Sequence, residues 1–170
     1  TQDQQEKVAQ IMIGDVTGHG MPAALITAIS NGFFKGVQSV EDFFRDEKSQ
    51  VNPAEIKNLG LSMDEVLKQL NQLLIEVTEG KLLMTFFASS FDFQRKELRY
   101  ANAGHNRPIL LRKGESQKYK SSVLKSEPSQ RLGEDKEVLY HEQKIQLEQG
   151  DLVVWYTDGI VECTNERGEA

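Results

Sequence analysis

The chain has 170 residues, which suits one domain and leaves little room for two. Apolar residues make up 38% and charged residues 27%, a globular composition that argues against disorder of the whole chain. Acidic residues outnumber basic ones by 26 to 20 with no long basic run, which argues against broad nucleic-acid binding.

No apolar stretch approaches the ~20 residues of a membrane-spanning helix, so no membrane contact is expected. The single cysteine, Cys163, leaves no intramolecular disulfide and no cysteine-rich zinc site. That fits a reducing compartment, and the expected location is cytoplasmic. Residues 1–10 are polar, lack an apolar signal-peptide core and do not begin with Met. The chain therefore reads as an excised piece.

Residues 8–13 are apolar-rich and predict a strand ending at Gly14-Asp15. A glycine loop follows, Thr17-Gly18-His19-Gly20. Pro22 suits a first helical turn, where its missing N–H costs nothing, and the helix is expected to run to about Phe34. Gly32 and Gly36 weaken its end. Residues 38–60 are charged and poor in aliphatics, and read as a polar surface insertion, with a short helix start at Asn52-Pro53.

Ser62 and Glu65 form a capping-box pattern. Val66, Leu67, Leu70, Leu73, Leu74 and Val77 follow at helical spacing, so residues 62–77 predict an amphipathic helix. Residues 82–93 and 98–103 flank a polar turn and predict a hairpin. Residues 109–112 and 117–120 flank a second turn at Lys113-Gly114-Glu115. Residues 121–136 read as loop, and 138–147 as an edge strand. After a turn at 148–150, the apolar run 152–156 predicts a strand buried on both faces.

Three places can carry chemistry. Asp15 and Asp158 each end an apolar strand beside glycine. Two carboxylates that converge repel one another unless a proton or a hard cation lies between them, and oxygen ligands suit Mg²⁺ or Mn²⁺ rather than zinc. The competing reading is that Asp-Gly is a common turn. The loop 14–20 lets a ligand approach the backbone closely and points a helix N-terminus at it, as phosphate favours. His19 in that loop either transfers protons or bonds the backbone. Gly104, His105 and Asn106 lie in a turn that either shapes a polar cleft or satisfies its own backbone groups.

Taken together the segments are similar to a known family. Gly14-Asp15-Val16-Thr17-Gly18-His19-Gly20-Met21-Pro22-Ala23-Ala24-Leu25 resembles the GDxSGHGxPAAL signature of bacterial PPM-type (type 2C-like) serine/threonine phosphatases, in the stage II sporulation protein E-like and sigma-regulator subgroup. Leu98 to Pro108 resembles LxYxNAGHNPP, and Gly150 to Glu162 resembles GDxLxLYTDGxxE. Val66 to Asn71 is similar to the family's LxxLN helix, Thr85-Phe86-Phe87 to its Thr-aromatic strand start, and Arg131-Leu132-Gly133 to its PLG turn. The likeness runs over about residues 8–170, in order.

The resemblance implies an α+β fold: an antiparallel β-sandwich flanked by helices, in the order α-β-β-α. It implies a single phosphatase domain over 1–170 and two Mn²⁺ or Mg²⁺ ions between the sheets. Asp15, the Val16 carbonyl and Asp158 match metal-ligand positions; His19 matches the loop histidine, a general-acid position. Gly18, Gly20, Gly104, His105, Asn106 and Gly159 match positions supporting the loops and the substrate cleft. The implied reaction is hydrolysis of phosphoserine or phosphothreonine by metal-activated hydroxide, on a phosphoprotein such as an anti-anti-sigma factor. The alternative is a truncated or degenerate, non-catalytic module that docks a signalling partner. No GGDxxD element precedes Asp15, although Asp3 is present, and the chain stops at Ala170, whereas the family continues beyond its YTDG strand to another acidic metal ligand and closing strands. The expectation is therefore an incomplete domain, weak in metal binding, with unpaired sheet edges that favour a homodimer.

Overall fold

The computed structural model describes residues 8–18, 20–45, 62–114 and 118–160. Among them, seven strands and two α-helices alternate in the order β1 (Val8–Val16), α1 (Met21–Arg45), α2 (Met63–Thr78), β2 (Met84–Asp92), β3 (Glu97–Ala103), β4 (Ile109–Lys113), β5 (Tyr119–Val123), β6 (Gln143–Gln146) and β7 (Leu152–Val154). A 3₁₀ turn, Asp158–Ile160, closes the described chain.

All named strand pairs are antiparallel. One sheet has the order β1-β2-β3-β6 and the other β5-β4-β7. Period-two alternation sends the side chains of β2 to two different cores. Met84, Phe86 and Ala88 meet Ile26 of α1 and Met63, Val66, Leu67, Leu70 and Leu74 of α2. Phe87 joins Leu98, Tyr100, Leu110 and Leu124 between the sheets, with Ile13, Val153 and Trp155 at the margin. The architecture is thus helices on a four-stranded sheet on a three-stranded sheet. The expected α+β double-sheet fold is present. A helical layer over the three-stranded sheet is not found among the described residues, and Tyr119, Val123, Leu152 and Val154 are exposed there.

Several boundaries differ from the expectations. Strand β1 continues through Gly14-Asp15, because both residues stay in register with Phe86 and Thr85 of β2. Helix α1 passes Gly32 and Gly36 and reaches Arg45. Phe34 stacks on Phe86 with ring centroids 5.3 Å apart, and that packing offsets the weak glycines. Residues 38–45 are therefore helix; the rest of the expected insertion, including Asn52-Pro53, lies outside the described residues.

Ser62 is the N-cap of α2, but its side chain makes no cap bond. The Met63 N–H instead donates to Glu142 Oε2 at 2.9 Å. Glu142 also accepts two bonds from Arg99 of β3, at 3.0 and 2.9 Å, so a distant carboxylate ties the helix start to the sheet. Strand β5 begins at Tyr119, later than expected, and takes in residues expected as loop. Strand β6 is an edge strand, as its loose alternation indicates. Strand β7 is three residues long and lies at an edge among the described strands, with only Val153 facing inward, so it is not buried on both faces.

Candidate functional site

Asp15 lies near the end of β1, on the same face as Ile13 and therefore between the sheets. Its neighbours Gly14 and Val16 face the helices. A methyl group at Gly14 would come within 2.6 Å of Met84 Cε and 2.8 Å of the Thr85 carbonyl, so only glycine lets β1 lie this close to β2. The Val16 side chain packs on the helix-side core, which leaves only its main chain available to the site.

After Asp15 the chain turns through Gly18 and Gly20, both with positive φ (+99° and +83°). The Thr17 N–H donates to the Leu83 carbonyl at 2.9 Å, and the Gly20 carbonyl accepts the first bond of α1, from Ala24, at 3.1 Å. His19 lies outside the described residues. Asp158 enters from the other sheet, four residues beyond β7, at the start of the 3₁₀ turn that includes Gly159. Both aspartates are exposed.

Both carboxylates act electrostatically on His105. It is buried at 6% exposure, just past the end of β3. Gly104, at φ +68°, pairs with Phe86 and places the histidine beside Thr85. Asn102 closes the turn. Its Oδ1 accepts the His105 N–H at 2.8 Å, and its Nδ2 donates to the His105 carbonyl at 3.0 Å and to Ser126 Oγ at 3.2 Å. The turn-satisfying asparagine is thus Asn102, not Asn106. The His105 side chain is held by Thr85, whose Oγ1 lies 2.9 Å from Nδ1 and 3.4 Å from the Asp15 carbonyl.

Burial pushes the His105 ring below its ordinary value. The Tyr156 carbonyl and the charges of Asp15 and Asp158 act in the opposite direction without reversing it. Both aspartates therefore bear on one imidazole. Among the described residues its Nε2 is buried without a hydrogen-bond partner.

The structure thus draws Asp15, Asp158, Gly104 and His105 toward one mouth of the sandwich, adds Thr85 and Asn102, and leaves Asn106 half-buried at the turn. Among the described residues, no three His, Cys, Asp or Glu side chains are grouped to hold a metal ion. The two aspartates fit part of a hard-cation site: both offer oxygen and neither is engaged in an ion pair among the described residues. Sequence reasoning passed over Asp151 of the third motif. Its side chain is 2% exposed and accepts from Arg112 of β4, at 2.6 Å for the shortest contact, and from the Glu148 N–H at 2.9 Å. That clamp fixes the turn into β7, and so the strand leading to Asp158.

Two antiparallel sheets with helices on one face and aspartates at the strand ends of both sheets define a PPM-phosphatase-like fold. The pattern of the family Stage II sporulation protein E (SpoIIE) matches residues 5–170, and the chain belongs to that family. It is 27% identical over 158 residues to phosphoserine phosphatase RsbU of Bacillus subtilis (strain 168), covering 93% of this chain and 40% of RsbU. It therefore spans less than half of that relative. The RsbU and RsbW domains of a Mycobacterium tuberculosis protein superpose with a TM-score of 0.69 at 22% identity, over 92% of this chain and 38% of that one. The catalytic domain of the serine/threonine phosphatase PstP, solved in complex with two manganese ions, gives 0.60 at 12% identity, over 98% and 77%. These two likenesses show the fold. Among the described residues no helix is long and apolar enough to cross a membrane.

Proposed function

We propose that the chain is the catalytic part of a Mn²⁺- or Mg²⁺-dependent protein serine/threonine phosphatase acting on a regulatory phosphoprotein. The observation that carries this reading is that Asp15 and Asp158, from different sheets, lie at the same end of the sandwich and both act on the buried His105. Family membership and the likeness to RsbU support the reaction class. The manganese in PstP supports the choice of cation.

Asp15, Asp158 and the Val16 carbonyl would hold the cation. When bound, such an ion neutralises phosphoryl oxygens and makes a water acidic enough to supply hydroxide. The chain's own residues then orient the phosphoryl group, keep the two carboxylates apart and, at His19, stand ready to protonate the leaving serine oxygen. An anti-anti-sigma factor is the substrate this reading favours, on the strength of RsbU, and the setting it favours is the cytoplasm, on the strength of the single cysteine. A homodimer through the exposed β5 and β7 edges is part of the same reading.

The test is Mn²⁺-dependent release of phosphate from phosphoserine peptides by the wild-type chain, Asp15→Asn and Asp158→Asn. Asn keeps the shape and removes the charge that holds the cation. Turnover lost by roughly 100-fold in each variant, with unchanged melting, supports the reading. No turnover by wild type in Mn²⁺ or Mg²⁺ points instead to a docking module.

A further inference from the structure

Asp15 and Asp158 belong to different sheets, and no described strand pairs β1 with β7. A site shared between them needs something that fixes their separation. Asp15 is paired with Thr85 in the β1–β2 register, so Thr85 moves with it. The Thr85 hydroxyl reaches sideways to His105 Nδ1 at 2.9 Å, while keeping its 3.4 Å approach to the Asp15 carbonyl. His105 is in turn immobilised by Asn102 through its own N–H and carbonyl. The antiparallel pairing of β4 with β7, Ile109 opposite Val154, brings the segment that leads to Asp158 back alongside the turn that carries His105. Hydrogen bonds thus run from the strand of Asp15 through Thr85 to His105, in the turn that the Asp158 segment lies beside.

Two details mark the bridge as more than turn filling. The turn's main-chain groups are already satisfied by Asn102, so the His105 side chain is not needed for them. His105 is more than nine-tenths buried, yet among the described residues its Nε2 has no partner. Burying an unpaired polar nitrogen has a free-energy cost that a merely structural position would shed by substituting an apolar side chain.

We propose that Thr85 and His105 form a positioning bridge that sets the separation of Asp15 and Asp158. The proposal rests on reading the two aspartates as cation ligands. Neither bridging residue touches the substrate; both act through the carboxylate-bearing segments. Partners one shell away from a metal ligand commonly change metal affinity by about 10–100-fold when removed.

The test uses isotope-labelled wild type, Thr85→Val and Thr85→Ser. Valine keeps the shape and suits a strand, so folding is retained and is checked by thermal melting; Thr85→Ala serves if it is not. In metal-free protein, Thr85→Val should shift the His105 Nδ1 resonance and, beyond it, the Asp158 amide and carboxyl resonances, and Thr85→Ser should restore both. By calorimetry, Thr85→Val should weaken Mn²⁺ binding about tenfold, with Thr85→Ser close to wild type. Asp158 resonances that stay put while His105 shifts would overturn the bridge, as would unchanged Mn²⁺ affinity in Thr85→Val. A wild type that binds Mn²⁺ but releases no phosphate refutes the phosphatase reading and leaves the bridge standing. If wild type binds no Mn²⁺, the metal-free resonances decide the bridge alone.

Discussion

Asn71 is the sharpest place to test how the fold holds the base of the site. It is 1% exposed on α2, and it grips the loop after Arg131 at two points. Its Oδ1 accepts the Gly133 N–H at 2.7 Å, and its Nδ2 donates to the Asp135 carbonyl at 2.8 Å. That loop is joined to the start of β2 by two Leu132–Met84 bonds, one residue from Thr85. Asn71→Ala leaves the buried Gly133 N–H orphaned, while the exposed Asp135 carbonyl can turn to water. An orphaned buried donor costs about 1–3 kcal/mol and the lost carbonyl bond about 0.5–1, so destabilisation should be about 2–4 kcal/mol. For a chain of this size that lowers the melting temperature by roughly 5–15 °C. Urea unfolding monitored by circular dichroism, with the m-value compared, is the assay. A loss below about 1 kcal/mol at unchanged m-value would refute the reasoning, because the Gly133 N–H would then have found another acceptor.

Three further outcomes follow from the same geometry. Asp151→Asn should destabilise the protein by about 1–3 kcal/mol near neutral pH, since Arg112 loses its charged partner. Burial pushes the Asp151 carboxyl up, but Arg112 and the Glu148 N–H more than offset this and hold it below the ordinary range. Its contribution is therefore complete above the ordinary carboxylate value and is lost as pH falls through the depressed one; the gap between wild type and variant, measured by urea unfolding, should close below about pH 4. Tyr140→Phe should be neutral or stabilising by up to about 1 kcal/mol, because the buried hydroxyl has no partner among the described residues; marked destabilisation would reveal one. Gly14→Ala should cost about 1–3 kcal/mol by overpacking against Met84 and Phe86, and should lower Mn²⁺-dependent phosphate release with it, because Asp15 is the next residue; a stable variant without turnover would separate the two effects.

The parts legible from sequence are those governed by local pattern. The helical spacing of residues 62–77 gave α2 to within a residue, and the Phe-rich alternation after Leu82 gave the β2–β3 hairpin. Misreadings arose where a distant partner outweighed local preference. Gly32 and Gly36 argue for a helix end, yet Phe34 has Phe86 to stack on and the helix continues. Ser62 has the right cap position, but Glu142, 79 residues away, takes the Met63 N–H. The apolar run at 152–156 suggests burial on both faces, whereas among the described strands β7 has a neighbour on one side only. In the site, glycine-flanked strand-end aspartates singled out Asp15 and Asp158. Thr85 and Asn102 were not legible as site residues, since one looks like an ordinary strand threonine and the other like a turn asparagine. Their roles exist only once Phe86 pairs with Gly104.

That pairing also explains why the site sits at a mouth of the sandwich rather than within it. A pair of carboxylates cannot be buried between Phe87, Leu98 and Tyr100 without a large desolvation cost. At the strand ends they remain hydrated, but there the backbone is least constrained. The fold compensates with side-chain clamps at each approach: Asn102 for the turn to His105, Arg112–Asp151 for the turn into β7, and Asn71 for the loop bonded beside Thr85. Each clamp joins segments far apart in sequence, so each forms only after both sheets are in place. Precision at the two aspartates is therefore a consequence of global folding. Weakening a clamp should reach them before it unfolds the sheets, because the apolar contacts that hold the sheets lie elsewhere.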